Sequence, residues 1–252
     1  MKLADVVARL DSVTSAWTLR ARGDEVAGDL PSGTGRIDPW SAIDLDDSVD
    51  AWARLRPSAR RKVRSAARSG VIVRRSTSPE DLDVFLQLHL QRRKSRYGLL
   101  SQPRRFFFET WNEFDPADRC WLLVAEQEGR AVASSMFLAA GDILYYKFNA
   151  SNEAGGTSGA NYLLLWDAME RALAVGFSQI DLGLSPSGQQ GLLQFKDAFS
   201  TVRNDIITIE RVDPDQPDSR SAIESLARAA ALSLVPDDVT AAVSDAVYGY
   251  LA

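Results

Sequence analysis

Cys120-Trp121-Leu122-Leu123-Val124-Ala125-Glu126-Gln127 reads as a strand, Glu128-Gly129 as a hairpin turn, and residues 130–139 as the returning strand. A second turn at Ala140-Gly141-Asp142 leads into residues 143–149, a third strand. The centre of the chain is therefore an antiparallel meander. Upstream, residues 71–75 form a strand. Ser78-Pro79-Glu80-Asp81 opens a helix, with Ser at the cap, Pro at the first position and acids in the first turn. That helix carries Leu82, Phe85, Leu86, His89 and Leu90 at helical spacing to about residue 95, and residues 102–114 form a second helix. Downstream, residues 151–159 are a polar, glycine-rich loop. It feeds an apolar helix starting at Ala160 or Asn161, running to Val175 and ended by Gly176. A strand at 178–182, a short helix at 189–198 and a long alternating strand at 201–212 follow. The order β-α-α-β-β-β-α-β-α-β predicts an α/β fold with a mixed central sheet flanked by helices.

The ends are less regular. Leu3, Val6, Val7 and Leu10 predict a short amphipathic helix over 3–13, and residues 17–22 alternate as a strand. Residues 23–35 hold five glycines and prolines and read as loop; residues 40–45 are a short strand. Asp46, Asp47 or Ser48 would cap a helix running to Leu55. Pro57 either ends that helix or opens the next, a basic helix over 58–69 with Gly70 at its C-terminal cap. Residues 213–218 are a linker before two C-terminal helices, 219–234 and 237–251, split by Pro236. These pack on the sheet or form a dimer contact.

The chain has 252 residues, 45% hydrophobic and 25% charged, enough for a real core without disulfide or metal. One Cys and one His exclude a disulfide framework and a zinc site. His89, on an apolar helix face, reads as a packed core residue. No run of about 18 apolar residues exists, and residues 1–13 lack the apolar block of a signal peptide, so a cytoplasmic protein is expected. No Walker loop and no Ser-His-Asp elbow appear. Net charge is −5, but residues 54–105 carry fifteen Lys and Arg against three acids, +12, leaving −17 elsewhere. Such a segment suits an anionic partner, or simply solvates two helix faces.

Four segments carry a resemblance. Arg60-Arg61-Lys62-Val63-Arg64-Ser65-Ala66-Ala67-Arg68-Ser69-Gly70-Val71 looks like the basic helix-then-strand block of FemAB-type acyltransferases. Tyr145-Tyr146-Lys147-Phe148-Asn149-Ala150-Ser151 resembles their central strand, and Asn161-Tyr162-Leu163-Leu164-Leu165-Trp166-Asp167-Ala168 the helix after it. Asp181-Leu182-Gly183 with Gly191-Leu192-Leu193-Gln194-Phe195-Lys196 resembles their late strand and Phe-Lys motif. The match spans roughly residues 40–210. It implies a GNAT-like fold divided as a partial first unit (1–50), an acyltransferase domain (51–212) and a helical extension (213–252). Most of the first unit is missing: the chain is a short member, or its start has been lost.

The resemblance implies transfer of an acyl or aminoacyl group to an amine of a cell-envelope precursor, such as a peptidoglycan precursor, or of an amino sugar. The donor is aminoacyl-tRNA or acyl-CoA, with no permanently bound cofactor and no metal. The acceptor is a small-molecule, glycan or peptide amine. Lys196 would offset negative charge on the carbonyl oxygen or leaving group, or is an ordinary exposed lysine. Asp181 would orient or deprotonate the amine, or cap the turn after its strand. Tyr146 and Lys147 alternate on one strand, so only one faces a given cleft; Tyr146 donates near the carbonyl or packs in the core. Asn149 lies on the same strand. Asn161 contacts the donor or caps its helix, and Arg61 and Lys62 meet an anionic substrate. An acetyl-CoA-binding GNAT enzyme cradles pyrophosphate on backbone N–H groups of a glycine-rich loop before a helix. Residues 151–160 are in the right place, but Gly156-Thr157-Ser158-Gly159-Ala160-Asn161 lacks the leading Gln or Arg of that pattern. An acetyl-CoA-dependent N-acetyltransferase and a degenerate GNAT-like binding protein are the alternatives.

Overall fold

The computed structural model describes residues 3–23, 35–46, 50–76, 78–186, 188–211, 219–231 and 234–248. The expected loop and linker segments at 24–34 and 213–218 lie outside these. The chain is α/β throughout and forms two compact units, residues 1–44 with 181–217 and residues 45–180 with 218–252.

In the smaller unit, α1 (Leu3–Val13) is followed by β1 (Trp17–Arg22) and β2 (Gly35–Asp44). Strand β2 begins five residues before the expected start at Trp40. Both strands pair antiparallel with the last strand of the chain, Val202–Arg211, in registers that join Trp17 to Arg211 and Ala42 to Val202. Ile207 and Ile209 of that strand are buried against Leu19, Ala21 and, from α1, Val7. Asp11 fastens the helix: one carboxylate takes the Trp17 indole N–H at 2.9 Å and the Arg211 guanidinium at 2.5 and 3.0 Å.

In the larger unit, α2 (Ala51–Arg54) is a single turn. Its cap is Asp50, whose carboxylate accepts from Trp52 N–H at 2.9 Å, rather than Asp46; Asp47 and Ser48 lie outside the described residues. Pro57 opens α3 (Pro57–Arg68), and Gly70 terminates it at φ +79°, a conformation that suits glycine. Next come β3 (Ile72–Arg75), α4 (Glu80–Arg92), a π-helical turn over Arg93–Tyr97 and α5 (Arg104–Phe114). Ser78 Oγ accepts from Glu80 N–H at 3.2 Å, but the helix starts at Glu80 and it is Pro79, expected as the first helical residue, that stands in the cap position. Arg74 binds Asp81 with both guanidinium nitrogens and Glu126 with its Nε, tying β3 to the start of α4 and to the next strand.

The meander is β4 (Cys120–Gln127), β5 (Arg130–Ala140) and β6 (Ile143–Ser151). With β3 it is ordered β6-β5-β4-β3, every pair antiparallel. Leu122, Met136 and Ala150 face Leu82, Phe85, Phe107 and Trp111 of α4 and α5 in one core cluster. The alternate face lies under α7 (Ala160–Val175), which buries Leu164, Leu165, Ala168, Met169 and Ala172. Cover on both faces explains why β4 is apolar at successive residues rather than at every second one. The chain then enters β7 (Gln179–Leu184) through Ser178, whose N–H and hydroxyl bond to Asp142 at the start of β6. The helix α8 (Gln190–Asp197) and β8 (Val202–Arg211) follow, then α9 (Ser219–Ala230) and α10 (Asp237–Val247).

The segment read as a glycine-rich loop is folded. After β6 ends at Ser151, Asn152 caps a short helix, α6 (Glu153–Ser158), accepting from Gly155 N–H at 2.9 Å. The glycines allow close approach and do not keep the chain open. A Cβ on Gly155 would stand 2.1 Å from the Val132 carbonyl oxygen, whereas one on Gly156 would meet nothing within 4 Å. Gly155→Ala is therefore expected to destabilise the protein by about 1–3 kcal/mol or more, as overpacking does. Gly156→Ala should be neutral or stabilising by up to about 1 kcal/mol through helix propensity. Urea unfolding of the two variants tests this; equal effects would contradict the packing of α6 on β5.

Candidate active site

The smaller unit holds Lys196 and Asp181. Lys196 projects from α8 and is only 4% exposed, so it is not a solvated surface lysine. Its Nζ donates to Leu184 O at 2.6 Å and Gly183 O at 3.2 Å, at the end of β7. Burial pushes the amine down from its ordinary 10.5 to about 8, against the opposing field of Asp181. Neutral carbonyls solvate the ammonium, but less well than water does. The third N–H has no partner among the described residues.

Asp181 is half-buried. Its Oδ1 accepts from the Trp40 indole at 2.9 Å and from Gly183 N–H at 2.6 Å. Gly183 has φ +72°, so this carboxylate caps the turn that aims the Gly183 and Leu184 carbonyls at Lys196. Oδ2 has no partner among the described residues. Ser185 follows directly, and its buried hydroxyl is also unpartnered.

In the larger unit the strand expectation needs one correction. Tyr146 and Lys147 do not simply alternate. The β5–β6 register runs Ser135↔Asn149, Met136↔Phe148, then Phe137↔Tyr146, leaving Lys147 as the extra residue of a β-bulge. Residues paired across strands share a face. Phe148 therefore goes with Met136 into the core, while Tyr146 and Asn149, three apart, lie on the face of Phe137 and Ser135. The Tyr146 and Phe137 rings are 5.2 Å apart. Lys147 is exposed.

On that face a polar network gathers three of the expected residues. The Tyr146 hydroxyl hydrogen-bonds with Ser135, and burial holds its pKa above the ordinary tyrosine value. Asn149 Nδ2 donates to Ser135 Oγ at 2.8 Å and to Asn161 Oδ1 at 3.1 Å, and Asn161 Nδ2 donates to Ser151 Oγ at 3.2 Å. Asn161 is not the helix cap. It is the second residue of α7, preceded by Gly159 at φ +83° in the cap position. Ser135 and Ser151 were not singled out from the sequence. Their only signal is polarity inside strands otherwise buried on both faces.

Arg61 and Lys62 are exposed on α3; Arg61 lies opposite its buried face of Ala59, Val63 and Ala66, and Lys62 at the edge of that face. A groove of about 350 Å³ runs along Pro57, Arg60, Arg61, Arg64 and Arg68. Arg64 lies over the Trp52 ring at 5.1 Å. None of Arg60, Arg61, Lys62, Arg64 and Arg68 forms an ion pair with a described residue. A second groove, about 370 Å³, is lined by Ser65, Ser69, Gln127, Thr157 and Ser158 between α3 and α6. Neither groove is lined by Tyr146 or Asn149.

The α6 segment is a poor pyrophosphate cradle. Gly155 N–H is taken by Asn152 Oδ1, Gly156 N–H by Asn152 O at 3.0 Å, and Gly159 N–H by Gly155 O. A Cβ on Gly159 would come 3.2 Å from Lys62 O, so α3 lies directly against the entry to α7.

His89 is a core residue, as expected. It is 6% exposed, stacks on Phe85, and takes part in a 2.7 Å hydrogen bond with Gln102; burial lowers its pKa to about 4. Burial pushes the Cys120 thiol up to about 12, which leaves it no thiolate to react with. No cluster of metal-binding side chains occurs among the described residues.

The chain is 30% identical over 162 residues to the UDP-N-acetylmuramoylpentapeptide-lysine N(6)-alanyltransferase of Weissella viridescens, covering 62% of this chain and 47% of that protein. It thus spans about half the length of this relative. The crystal structure of FemX superposes with a TM-score of 0.60 at 15% identity, over 90% of this chain and 72% of FemX. A GCN5-related N-acetyltransferase from Kribbella flavida superposes with a TM-score of 0.50 at 12% identity, over 86% and 76%. At these identities the structures establish a shared fold. The sequence also matches the acetyltransferase (GNAT) domain over residues 53–197, more than half its length, and on that match the chain belongs to the GNAT family.

Proposed function

We propose that this protein is a cytoplasmic acyltransferase of FemAB type, moving an acyl or aminoacyl group to an amine of a cell-envelope precursor or amino sugar. The observation that carries this is the Lys196 amine, buried against two carbonyls, with a third N–H that has no partner among the described residues and a pKa lowered to about 8. Residues 1–50 would be the remnant of a first GNAT-like unit, 51–212 the acyltransferase domain and 213–252 a helical extension.

In the reaction, the acceptor nitrogen attacks the donor carbonyl and forms the C–N bond. The carbonyl oxygen carries the negative charge of the tetrahedral intermediate, then the bond to the leaving oxygen breaks. The proton lost by the amine ends on the leaving hydroxyl. Lys196 as ammonium offsets the oxyanion, and its lowered pKa lets it give that leaving group a proton. The Oδ2 of Asp181, which has no partner among the described residues, accepts from the attacking amine. On the larger unit, Tyr146, Lys147, Asn149 and Asn161 bind substrate, while Arg61 and Lys62 meet donor phosphates.

Aminoacyl-tRNA is favoured over acyl-CoA as donor, because the backbone N–H groups of Gly155, Gly156 and Gly159 in the glycine-rich segment are already bonded within it. The alanyltransferase relative supports an aminoacyl donor and a muramoyl-pentapeptide acceptor. Membership of the GNAT family is what speaks for the second reading, an acetyl-CoA-dependent N-acetyltransferase.

The test is mass-spectrometric. The protein is incubated with alanyl-tRNA or acetyl-CoA, separately, and with UDP-N-acetylmuramoyl-pentapeptide or amino sugars. A mass gain with alanyl-tRNA is expected, falling about 10²–10³-fold in Lys196→Ala, the usual cost of an oxyanion-stabilising group. Gain with acetyl-CoA alone selects the second reading, and silence with both donors points to a degenerate binding protein. Arg61→Ala with Lys62→Ala should reduce the slope of log affinity for tRNA against log salt by about 1–2, since each phosphate contact contributes about 0.7–0.9. An unchanged slope would make α3 only a solvated surface.

A further prediction concerns Lys196 and stability. Its folded pKa lies below its ordinary 10.5, so below pH 8 the native state carries a charged, poorly solvated amine. From pH 8 to 10.5 the unfolded chain binds more protons than the native one, and native stability rises with pH. The penalty at pH 7 is about 3 kcal/mol, offset by two hydrogen bonds of about 1 kcal/mol each. Lys196→Met is thus expected to be as stable as the native protein, or slightly more so, at pH 7, and to lose ground by pH 10. Thermal unfolding of both proteins at the two pH values would sink this account if their difference did not change.

A further inference from the structure

The three strands of the smaller unit lie side by side in the order β1-β8-β2. Their registers are unbroken: Arg20 stands opposite Thr208, and Thr208 opposite Arg36. Residues paired across antiparallel strands point to one face, so these three form a single row across the sheet. The row lies on the face away from α1, because Val7 of that helix packs with Ile207 and Ile209, which share the other face with Leu19 and Ala21. The next row on the polar face is Arg22, Ile206 and Asp38, and the one after it pairs Asn204 with Trp40.

Two features set this row apart from an ordinary solvated sheet face. Thr208 is 2% exposed, and its hydroxyl has no hydrogen-bond partner. Buried hydroxyls are nearly always paired, so one left unpaired in the floor between two arginines is a donor that lacks its acceptor. The arginines are uncommitted as well. Arg20 is exposed and makes no hydrogen bond or ion pair with a described residue. Arg36 is anchored through Nε on Asp38 Oδ2 at 2.6 Å, and its Nη groups have no partner among the described residues. Asp38 is 1% exposed and orients that guanidinium from the row behind. Glu210, on the same face one row beyond, forms no ion pair with a described residue.

We propose that Arg20, Thr208 and Arg36 bind a phosphate group carried by a small-molecule substrate. Adjacent strands are about 4.8 Å apart, so the two guanidinium stems rise roughly 10 Å apart with the hydroxyl midway between them. One guanidinium fork fills the two oxygens of a carboxylate, whereas a phosphate or diphosphate has oxygens enough for both forks and the hydroxyl. The row and its threonine floor form a cup, which suits a compact phosphate. Four residues along β2 from Arg36, roughly 13 Å at strand rise, Trp40 lies on the same face. Its indole donates to Asp181 at 2.9 Å. A substrate held by its phosphate at the row thus extends along the sheet face toward that carboxylate. The inference rests on the acyltransferase reading only in calling the bound molecule the acceptor, and it adds that this acceptor is phosphorylated.

The experiment is calorimetric titration of the full chain with inorganic pyrophosphate and, separately, with uridine diphosphate, each at low salt. One-site binding of both is expected. Affinity should fall about tenfold or more in Arg20→Ala, which removes only an exposed side chain, and by less in Arg20→Lys, which keeps the charge and loses the fork. Thr208→Val is nearly isosteric and removes no hydrogen bond inside the protein. Its melting temperature should therefore equal or exceed the native one while its pyrophosphate affinity falls about three- to tenfold. A hydroxyl that only fills space would leave that affinity unchanged, and this result would overturn the site. Equal affinity for the two probes means that the row reads the phosphate alone. Tighter binding of uridine diphosphate, with the same dependence on Arg20, means a phosphate borne on a nucleotide. No binding of either probe overturns the proposal, and so does binding that is lost in Arg61→Ala with Lys62→Ala but kept in Arg20→Ala. These titrations need no transfer, so absence of activity would count against the acyltransferase reading alone.

Discussion

The larger unit depends on one extra residue in β6. Strict alternation would put Tyr146 and Phe148 on the same face and Lys147 with Asn149 on the other. With Phe148 committed to the core of α4 and α5, Tyr146 would follow it into the hydrocarbon. The bulge at Lys147 breaks that coupling. Phe148 and Ala150 stay with Met136 and Leu122, while Tyr146 and Asn149 come together around Ser135. The strand can thus serve the apolar core and a polar network within five residues. A Lys is a reasonable residue to spend on it, because the bulge leaves it unpaired and exposed, where a long cationic chain costs little.

The two buried lysines show how burial sorts chemistry from scaffolding. Both amines are nearly excluded from water, and both are hydrogen-bonded. Lys94 has a carboxylate partner, so its charge is compensated. Lys196 has only carbonyl oxygens in contact, with Asp181 acting through its field. Dipoles orient an ammonium but do not neutralise it, and desolvation wins. Lys196 is thus left with a lowered pKa, while Lys94 is a fastening.

Much of this was legible in the sequence, and the omissions have physical reasons. The meander announced itself through Glu128-Gly129 and Gly141, turn residues whose positive φ angles are present in the structure. Short helix α8 was also legible, but its burial of Lys196 was not: a lysine on an eight-residue helix is ordinarily solvated, and only the carbonyls of a distant strand end decide otherwise. Nothing in Tyr145-Tyr146-Lys147 signals a bulge, because no glycine or proline is needed where the extra residue keeps ordinary backbone angles. The 151–159 segment misled in the opposite direction. Its glycines suggested an open loop, yet Gly155 is present because Val132 leaves no room for a Cβ. The C-terminal helices were visible as helices, but their destination was not, since Lys94 and Asp237 lie 143 residues apart and neither motif is distinctive.

The folded state of α6 bears directly on donor chemistry. A phosphate held on a helix N-terminus needs several N–H groups that have no other acceptor. Here Asn152 takes two of them, one on its side chain and one on its carbonyl, and a third closes the helix onto Gly155. Unfolding α6 to free them would forfeit those bonds and lift Gly155 from β5. Any phosphate ligand of this unit is better served by α3, whose five cations stand outward without ion-pair partners among the described residues. Four of them, Arg60, Arg61, Arg64 and Arg68, share one exposed helix face, and such cations follow an extended polyanion better than they enclose a single pyrophosphate, because they form a row and not a cup. The same packing that shuts the cradle, α3 lying against Gly159, also presents that row. Closing one phosphate site and displaying another are therefore two consequences of a single helix contact.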